Sequence, residues 1–401
     1  MPMPQEIPQL LPSEIDAYRK IRRDLHAHPE LGFEEHRTAE VVCAELRRLS
    51  IEHRTGVGGT GVVGMIQGRG TASGRAIGLR ADMDALPMDE CTRLDYASRH
   101  AGRMHACGHD GHVAMLLAAA AYLQRTRAFD GVVYLIFQPA EEGLNGGLEM
   151  VRDGLFERFP MQEVYALHNW PALALGSVSV PVGPAMAASD RITIRIKGKG
   201  GHGGLAPQRA LDPILMAGHV IVAAHSIVSR NLDPLEAGVL SLCGIAGGSL
   251  AGFNVIPDEV VLTGTARSLQ PEVRSIIETR LRATVEHVVQ GLGGTATLEY
   301  EPNVPATVNT EAQALLARRA AADVVGEDNV VRRPLPSLGG EDFSFMLQQR
   351  PGAYIHLGTG DPDHRHGLHN SNFDFNDAAL PIGAAVLSRI AELGLPLHNN
   401  A

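Results

Sequence analysis

Between Met104 and Met115 the chain reads MHACGHDGHVAM, a stretch that places three histidines, a cysteine and an aspartate within eight residues. An apolar run rich in Ala, Leu and Met follows at once and reads as a buried helix. Thiolate and imidazole side by side suit zinc or a similar borderline metal, whereas calcium and magnesium prefer all-oxygen sites. In Cys107-Gly108-His109 the glycine lets the backbone turn tightly between two candidate ligands.

Further polar groups fall where core strands are predicted to end. Asp82 and Asp84 close AIGLRADMD, Glu141 and Glu142 close VVYLIFQPAEE, His168 closes VYALH, and His369 sits in a loop before the final helix. Each alone has an ordinary explanation. A free cysteine is usually a small buried hydrophobe, paired glutamates often start a helix, and aspartates cap turns. Their recurrence at strand ends points instead to one shared crevice, because open parallel sheets bind ligands beyond the carboxyl ends of their strands. Cys107, His109, Glu142, His168 and His369 exceed the three protein ligands of a usual mononuclear catalytic zinc. Two divalent ions fit that number better. Asp82 and Asp84 then orient a ligating histidine. Glu141 remains to take a proton from water and return it to a leaving amine, which is hydrolysis without a covalent enzyme intermediate. His105, His112, His364 and His366 are left as neighbours or surface residues.

These groups need a scaffold, and the patterning supplies one. Short β-branched runs alternating with helical segments predict an α/β domain with a mostly parallel sheet and helices on both faces. From Ala188 the texture changes to four alternating strands and two helices, an α+β unit, and the α/β pattern returns after Val304. The expected organisation is a catalytic domain over 1–187 and 304–401, with an inserted satellite domain over 188–303. The 401 residues carry 45 acidic and 35 basic side chains, a formal charge of -10. That balance disfavours nucleic acid and anionic membranes as partners. Four scattered cysteines form no disulfide framework. The Pro-broken start does not suit a signal peptide, and no apolar run is long enough to span a membrane. A soluble, cytoplasmic protein is expected.

The motifs HAHPELGFEE, LRADMDALPM, MHACGHDGH, QPAEEG, ALH, NVIPDEV, GTAR, GGEDFSF and LHN resemble, in order and over nearly the whole chain, the N-acyl-amino-acid amidohydrolases. That family includes hippurate hydrolase and the plant hydrolases of indole-acetyl amino acids. The resemblance implies a dinuclear centre (Zn, Mn, Co or Ni) on Cys107, His109, Glu142, His168 and His369, with Glu141 as base. Cys107 stands where related exopeptidases place a bridging aspartate. It also implies a satellite domain that packs edge to edge with a second subunit, giving a homodimer or homotetramer. His202 in GKGGHGG matches a histidine that stabilises the oxyanion at the partner's site. Asn254 and Arg267 match groups that hold the substrate's free carboxylate. Rocking of the two domains about Ala188 and Val304 would close His202 over substrate. The sequence departs from many relatives at Pro207-Gln208, where they read Pro-His.

Three rivals remain. GVGGTG over Gly56–Gly61 fits a dinucleotide-binding loop, but a helical segment upstream and a strand downstream put the elements in the wrong order. A binder without turnover would not need Glu141. A dipeptidase or N-acetyl-amino-acid deacetylase would use the same machinery. Trp170, the sole tryptophan, could line an acyl pocket or pack in the core.

Overall fold

The computed structural model describes residues 12–397; the Pro-rich start over 1–11 and the residues 398–401 lie outside the described part. The chain divides into two compact units. One comprises Met1–Ala185, Val308–Leu335 and Asp342–Ala401, the other Met186–Thr307 and Pro336–Glu341.

A seven-stranded sheet organises the first unit. Its order is Glu52–Val57, Gly61–Gln67, Val132–Gln138, Ala76–Asp82, Glu163–Ala174, Gly352–Gly360 and Val178–Ser179. The four central strands run parallel, and antiparallel strands close both edges. The central strands are buried on both faces, as their continuous apolar sequences require. Ile77, Leu79 and Ala81 join the core under the helix His109–Thr126. On the other face a Cβ at Gly78 would stand 2.4 Å from Met161 Sδ, and Arg80 is buried against Gln138 at 2.8 Å. His109–Thr126 is buried nearly all round, which explains its lack of a polar stripe.

Register aligns the chemistry. Asp82 lies opposite Gln138, Arg80 opposite Ala166, and His168 opposite His356. Asp82, Gln138, His168 and His356 therefore form one row across four parallel strands, at the last residue of the first two and mid-strand in the other two. His168 does not terminate its strand, which continues to Ala174. GVGGTG is a hairpin turn between two antiparallel strands. The segment before it, Glu52–Val57, is a strand rather than a continuing helix, and another strand follows, so no dinucleotide-binding βαβ unit is formed.

The second unit has a four-stranded antiparallel sheet in the order Gly238–Gly247, Glu259–Ser268, Ala188–Lys197, Thr295–Val304. Two helices, Pro213–Asn231 and Pro271–Gly291, share its core. Gly201–His202 and Val255–Ile256 add a small hairpin. The expectation that no apolar run reaches membrane-spanning length needs one correction. Pro213–Asn231 does reach it, with a third of that stretch buried. Asp212 caps this helix by accepting from Ile214 N at 2.8 Å, and Met216, Ala217, Val220, Ala224 and Ile227 form its buried stripe.

Candidate metal centre

The polypeptide bends sharply at three of the places where it presents donors. Gly108 has φ +90°, and a Cβ there would meet Asn169 Oδ1 at 2.4 Å, so only glycine permits the approach that starts the helix at His109. Ala140 has φ +52° and His369 φ +61°. A left-handed conformation in a residue with a Cβ costs about 1–2 kcal/mol, which surrounding contacts must offset.

At Ala140 the compensation is visible. Three buried or nearly buried carboxylates accept backbone N–H groups of the following loop. Glu35 takes Ala140 N at 2.7 Å, Asp84 takes Glu142 N at 2.9 Å, and Asp342 takes Gly147 N at 2.7 Å. Asp342 also offers its own N–H to Glu141 Oε1 at 3.4 Å.

The five donors expected from sequence converge in this unit. Cys107 Sγ stands 3.5 Å from His168 Nε2. His168 Nδ1 donates to the Asn169 carbonyl at 2.7 Å, leaving its Nε2 lone pair toward the sulfur. His369 Nε2 is 3.2 Å from Glu142 Oε1, which is 3.9 Å from His109 Nε2. Candidate ligand atoms fall into overlapping groups within 4.8 Å of one another: Cys107, Glu142 and His369; His109, Glu141 and Glu142; Asp82, His109, His112 and His168. Asp84 faces His109 Nδ1 at 3.3 Å. Asp82 is 3.6 Å from His109 Nε2, yet its shorter contacts go to His112 Nδ1 at 2.5 Å and Arg80 at 2.7 Å.

His112 is the residue that sequence reasoning undervalued. It is buried, wedged between Asp82 and the Asn169 side chain at 2.6 Å, and its ring centroid lies 4.4 Å from that of His168. Its position three residues after His109 on a helix was the available signal. Of the other histidines, His105 is buried, His364 pairs with Asp361 at 2.8 Å, and His366 is exposed. Trp170 is half-buried and lies against His356, with ring centroids 4.2 Å apart and planes tilted by 32°.

The electrostatics call for cations. Burial pushes the Cys107 thiol far up, and Glu142, Glu141 and Asp82 add to the rise. Burial pulls His109 down, but Asp82, Asp84 and Glu142 outweigh it and raise the imidazole to about 10. Burial and His112 hold His168 well below the usual range. The hydrogen bond to Glu142 raises His369 against the effect of burial. His109 Nε2 and Glu142 Oε1 are buried without a hydrogen bond of good geometry. A protonated thiol among carboxylates, beside buried donor atoms that are not fully satisfied by hydrogen bonds, suits divalent metal. Metal uptake by such a set releases protons and weakens as pH falls.

The second unit holds the other three candidates. His202 Nδ1 accepts from Gly204 N at 3.2 Å and Leu205 N at 3.0 Å, which places the proton of the neutral ring on Nε2. Asn254 Nδ2 is 3.5 Å from that Nε2. Arg267 is apart from both. It lies opposite Ser189, whereas the His202 and Asn254 segments adjoin the other end of the sheet, where Glu259 faces Lys197. Eight residues of strand separate those levels, ~26 Å at ~3.3 Å each. The Arg267 guanidinium is half-buried, and it donates to Thr265 Oγ1 and, at 3.0 Å, to the Ala266 carbonyl. Gln208 sits exposed in the short turn Pro207–Arg209.

Comparison with known proteins gives a consistent picture. Residues 78–393 match the model of peptidase family M20/M25/M40. A hippurate hydrolase from Campylobacter jejuni is 39% identical across 96% of this chain and 98% of its own. An N-acetyl-L-cysteine deacetylase from Bacillus subtilis is 41% identical across 90% and 84%. A solved dinuclear metal-binding peptidase of the M20 family from Bacillus subtilis superposes with a TM-score of 0.83 at 33% identity, covering 96% of this chain and 99% of that one.

Proposed function

Because the chain belongs to peptidase family M20/M25/M40, we propose that it hydrolyses the amide bond of N-acyl L-amino acids, releasing a carboxylic acid and the free amino acid. The observation that carries this reading is the convergence of Glu141 with His109 and Glu142, all with donor atoms within 4.8 Å. Cys107, His109, Glu142, His168 and His369 would hold two divalent ions, Zn, Mn, Co or Ni. Bound there, the ions supply Lewis acidity and lower the pKa of a water. Glu141 takes the proton of the attacking water and delivers it to the leaving nitrogen. Asp84 fixes the His109 ring through Nδ1, so that Nε2 faces the site.

His202, neutral with its proton on Nε2, donates to the developing oxyanion. Asn254 and Arg267 hold the free carboxylate, the guanidinium by its fork. An N-acyl amino acid spans ~10 Å, about three residue lengths. One copy of the second unit therefore cannot bring both Arg267 and the His202–Asn254 pair to a single substrate across ~26 Å of strand. The reading takes Arg267 from one subunit and His202 with Asn254 from its partner, in a homodimer or a homotetramer built of two such dimers. Cys43, Cys91, Cys107 and Cys243 are free thiols, which suits a reducing cytoplasm.

A second reading keeps the site and changes the acyl group. The 41%-identical relative is named as a deacetylase, and a dipeptidase would need the same machinery. Metal-replete enzyme assayed on acetyl, benzoyl and indole-acetyl conjugates beside dipeptides separates these readings. Chelation should abolish turnover, and added Zn, Mn, Co or Ni should restore part of it. Full activity in chelator would overturn the proposal.

A further inference from the structure

Glu35 lies far from the metal-binding motifs in sequence, in GFEE before the helix His36–Arg48, yet it is wholly buried beside them in space. Its Oε1 accepts Ala140 N–H at 2.7 Å, and its Oε2 accepts the Thr60 hydroxyl at 2.5 Å. Ala140 is the left-handed residue that immediately precedes Glu141 and Glu142, and its carbonyl accepts Gly146 N–H at 2.9 Å. Gly32, three residues before Glu35, presses on the same point. A Cβ on Gly32 would stand 3.0 Å from Ala140 Cα. A buried carboxylate needs donors for both oxygens. Here one donor is the strained residue itself, and the other is a threonine in the glycine hairpin that sequence alone left without a role.

We propose that Glu35 is a positioning residue for the reaction: bridging Thr60 and Ala140, it locks the left-handed turn that aims Glu141 and Glu142. It touches neither substrate nor metal. It acts on the backbone one residue before the proton-transfer group, in a site where displacement of about 1 Å can cost ~10²-fold in rate. The inference rests on the hydrolase reading of the same site.

Glu35→Leu removes both acceptors at similar volume, Glu35→Gln keeps an acceptor for Ala140 N–H, and Thr60→Val deletes only the hydroxyl. With the full-length enzyme, hydrogen exchange over residues 139–144 should quicken in Glu35→Leu and stay close to wild type in Glu35→Gln. At saturating metal, kcat of Glu35→Leu should fall by ~10²-fold with KM changed by less than about threefold. Glu35→Gln should restore most of the loss. Thr60→Val should lower kcat more modestly, by about three- to tenfold, and serves in place of Glu35→Leu should that variant not fold. In a Glu141→Gln background the Glu35 loss should shrink, because the part of it transmitted through Glu141 is already gone. Unchanged exchange over 139–144, or a kcat penalty that persists undiminished without Glu141, would overturn the proposal. A wild-type enzyme inactive on every amide would instead overturn the hydrolase reading, leaving the exchange result to judge the clamp.

Discussion

Asp84 Oδ1 stands 3.3 Å from His109 Nδ1, while the other oxygen of the same carboxylate accepts Glu142 N–H at 2.9 Å. One buried side chain thus sets the orientation of an imidazole on the helix and of a glutamate on the facing loop. Replacement by asparagine keeps the size but puts an NH₂ group where one of these donors points. Asp84→Asn should fold normally and bind Zn or Co ~10–100-fold more weakly, with activity falling in parallel. Isothermal titration of the apo variant measures this, and wild-type affinity would remove Asp84 from the positioning role.

Glu141 differs from its neighbour in what it faces. Glu142 Oε1 points toward His369 and His109, whereas Glu141 Oε1 lies 3.4 Å from Asp342 N–H. An amide at position 141 cannot accept a proton from water. Glu141→Gln should retain two metal ions per subunit while kcat falls by ~10²–10⁴-fold. Atomic absorption beside steady-state kinetics separates this from loss of metal. Near-wild-type turnover would assign the proton transfer elsewhere.

The row of Asp82, Gln138, His168 and His356 explains why so much of the site was legible in sequence. Parallel strands bounded by Gly and Asp announce where they end, as at Asp82, and register then carries His168 into the same row although its own strand runs on. What escaped was set by tertiary packing. Glu52–Val57 is a polar, largely exposed edge strand, so neither alternation nor apolar content marks it. The strand through His168 runs on through Pro171, a residue that ordinarily argues against a strand interior. Nothing in the local pattern of Glu35 or His112 names the partners against which folding buries them, Ala140 and Asp82. The separation of Arg267 from His202 follows from register, which no local pattern encodes.

Beneath the first turn of the His109 helix, His26 Nδ1 is 2.9 Å from Asp110 and Nε2 is 3.4 Å from Glu90, all buried. Burial pulls this imidazole down, but attraction to Asp110 and the hydrogen bonds to Asp110 and Glu90 prevail, raising it from 6.5 to about 9 against the opposing charge of Arg22. The folded state therefore keeps the proton over a range in which the unfolded chain has lost it. Stabilisation is full below pH 6.5 and declines as pH rises through about 9. The total is roughly 2–4 kcal/mol. His105 works oppositely: burial holds it neutral down to about 3, so its contribution is present above pH 6.5 and fades on acidification. Urea midpoints of the wild type should fall between pH 6.5 and 9, and His26→Asn should make that limb shallower without abolishing it, because His109 is raised in the same direction. An equally steep limb in the variant would refute the assignment.

The separation of Arg267 from His202 and Asn254 makes subunit mixing informative. If His202 serves the partner's site, Glu141→Gln and His202→Ala chains, each nearly inactive alone, should complement when mixed. A mixed dimer then joins an intact Glu141 from one chain to an intact His202 from the other. With random exchange about a quarter of wild-type activity should return, because half of the dimers are mixed and each regains one of two sites. Arg267 belongs to the opposite end of the sheet, so it should serve the site of its own chain. Mixing Arg267→Ala with Glu141→Gln should therefore restore nothing, since no site then holds both intact residues. Arg267→Ala alone should raise KM for substrates with a free carboxylate by ~10–100-fold and leave their amides almost unchanged. Recovery in the second mixture together with silence in the first would invert the assignment of the two residues to subunits.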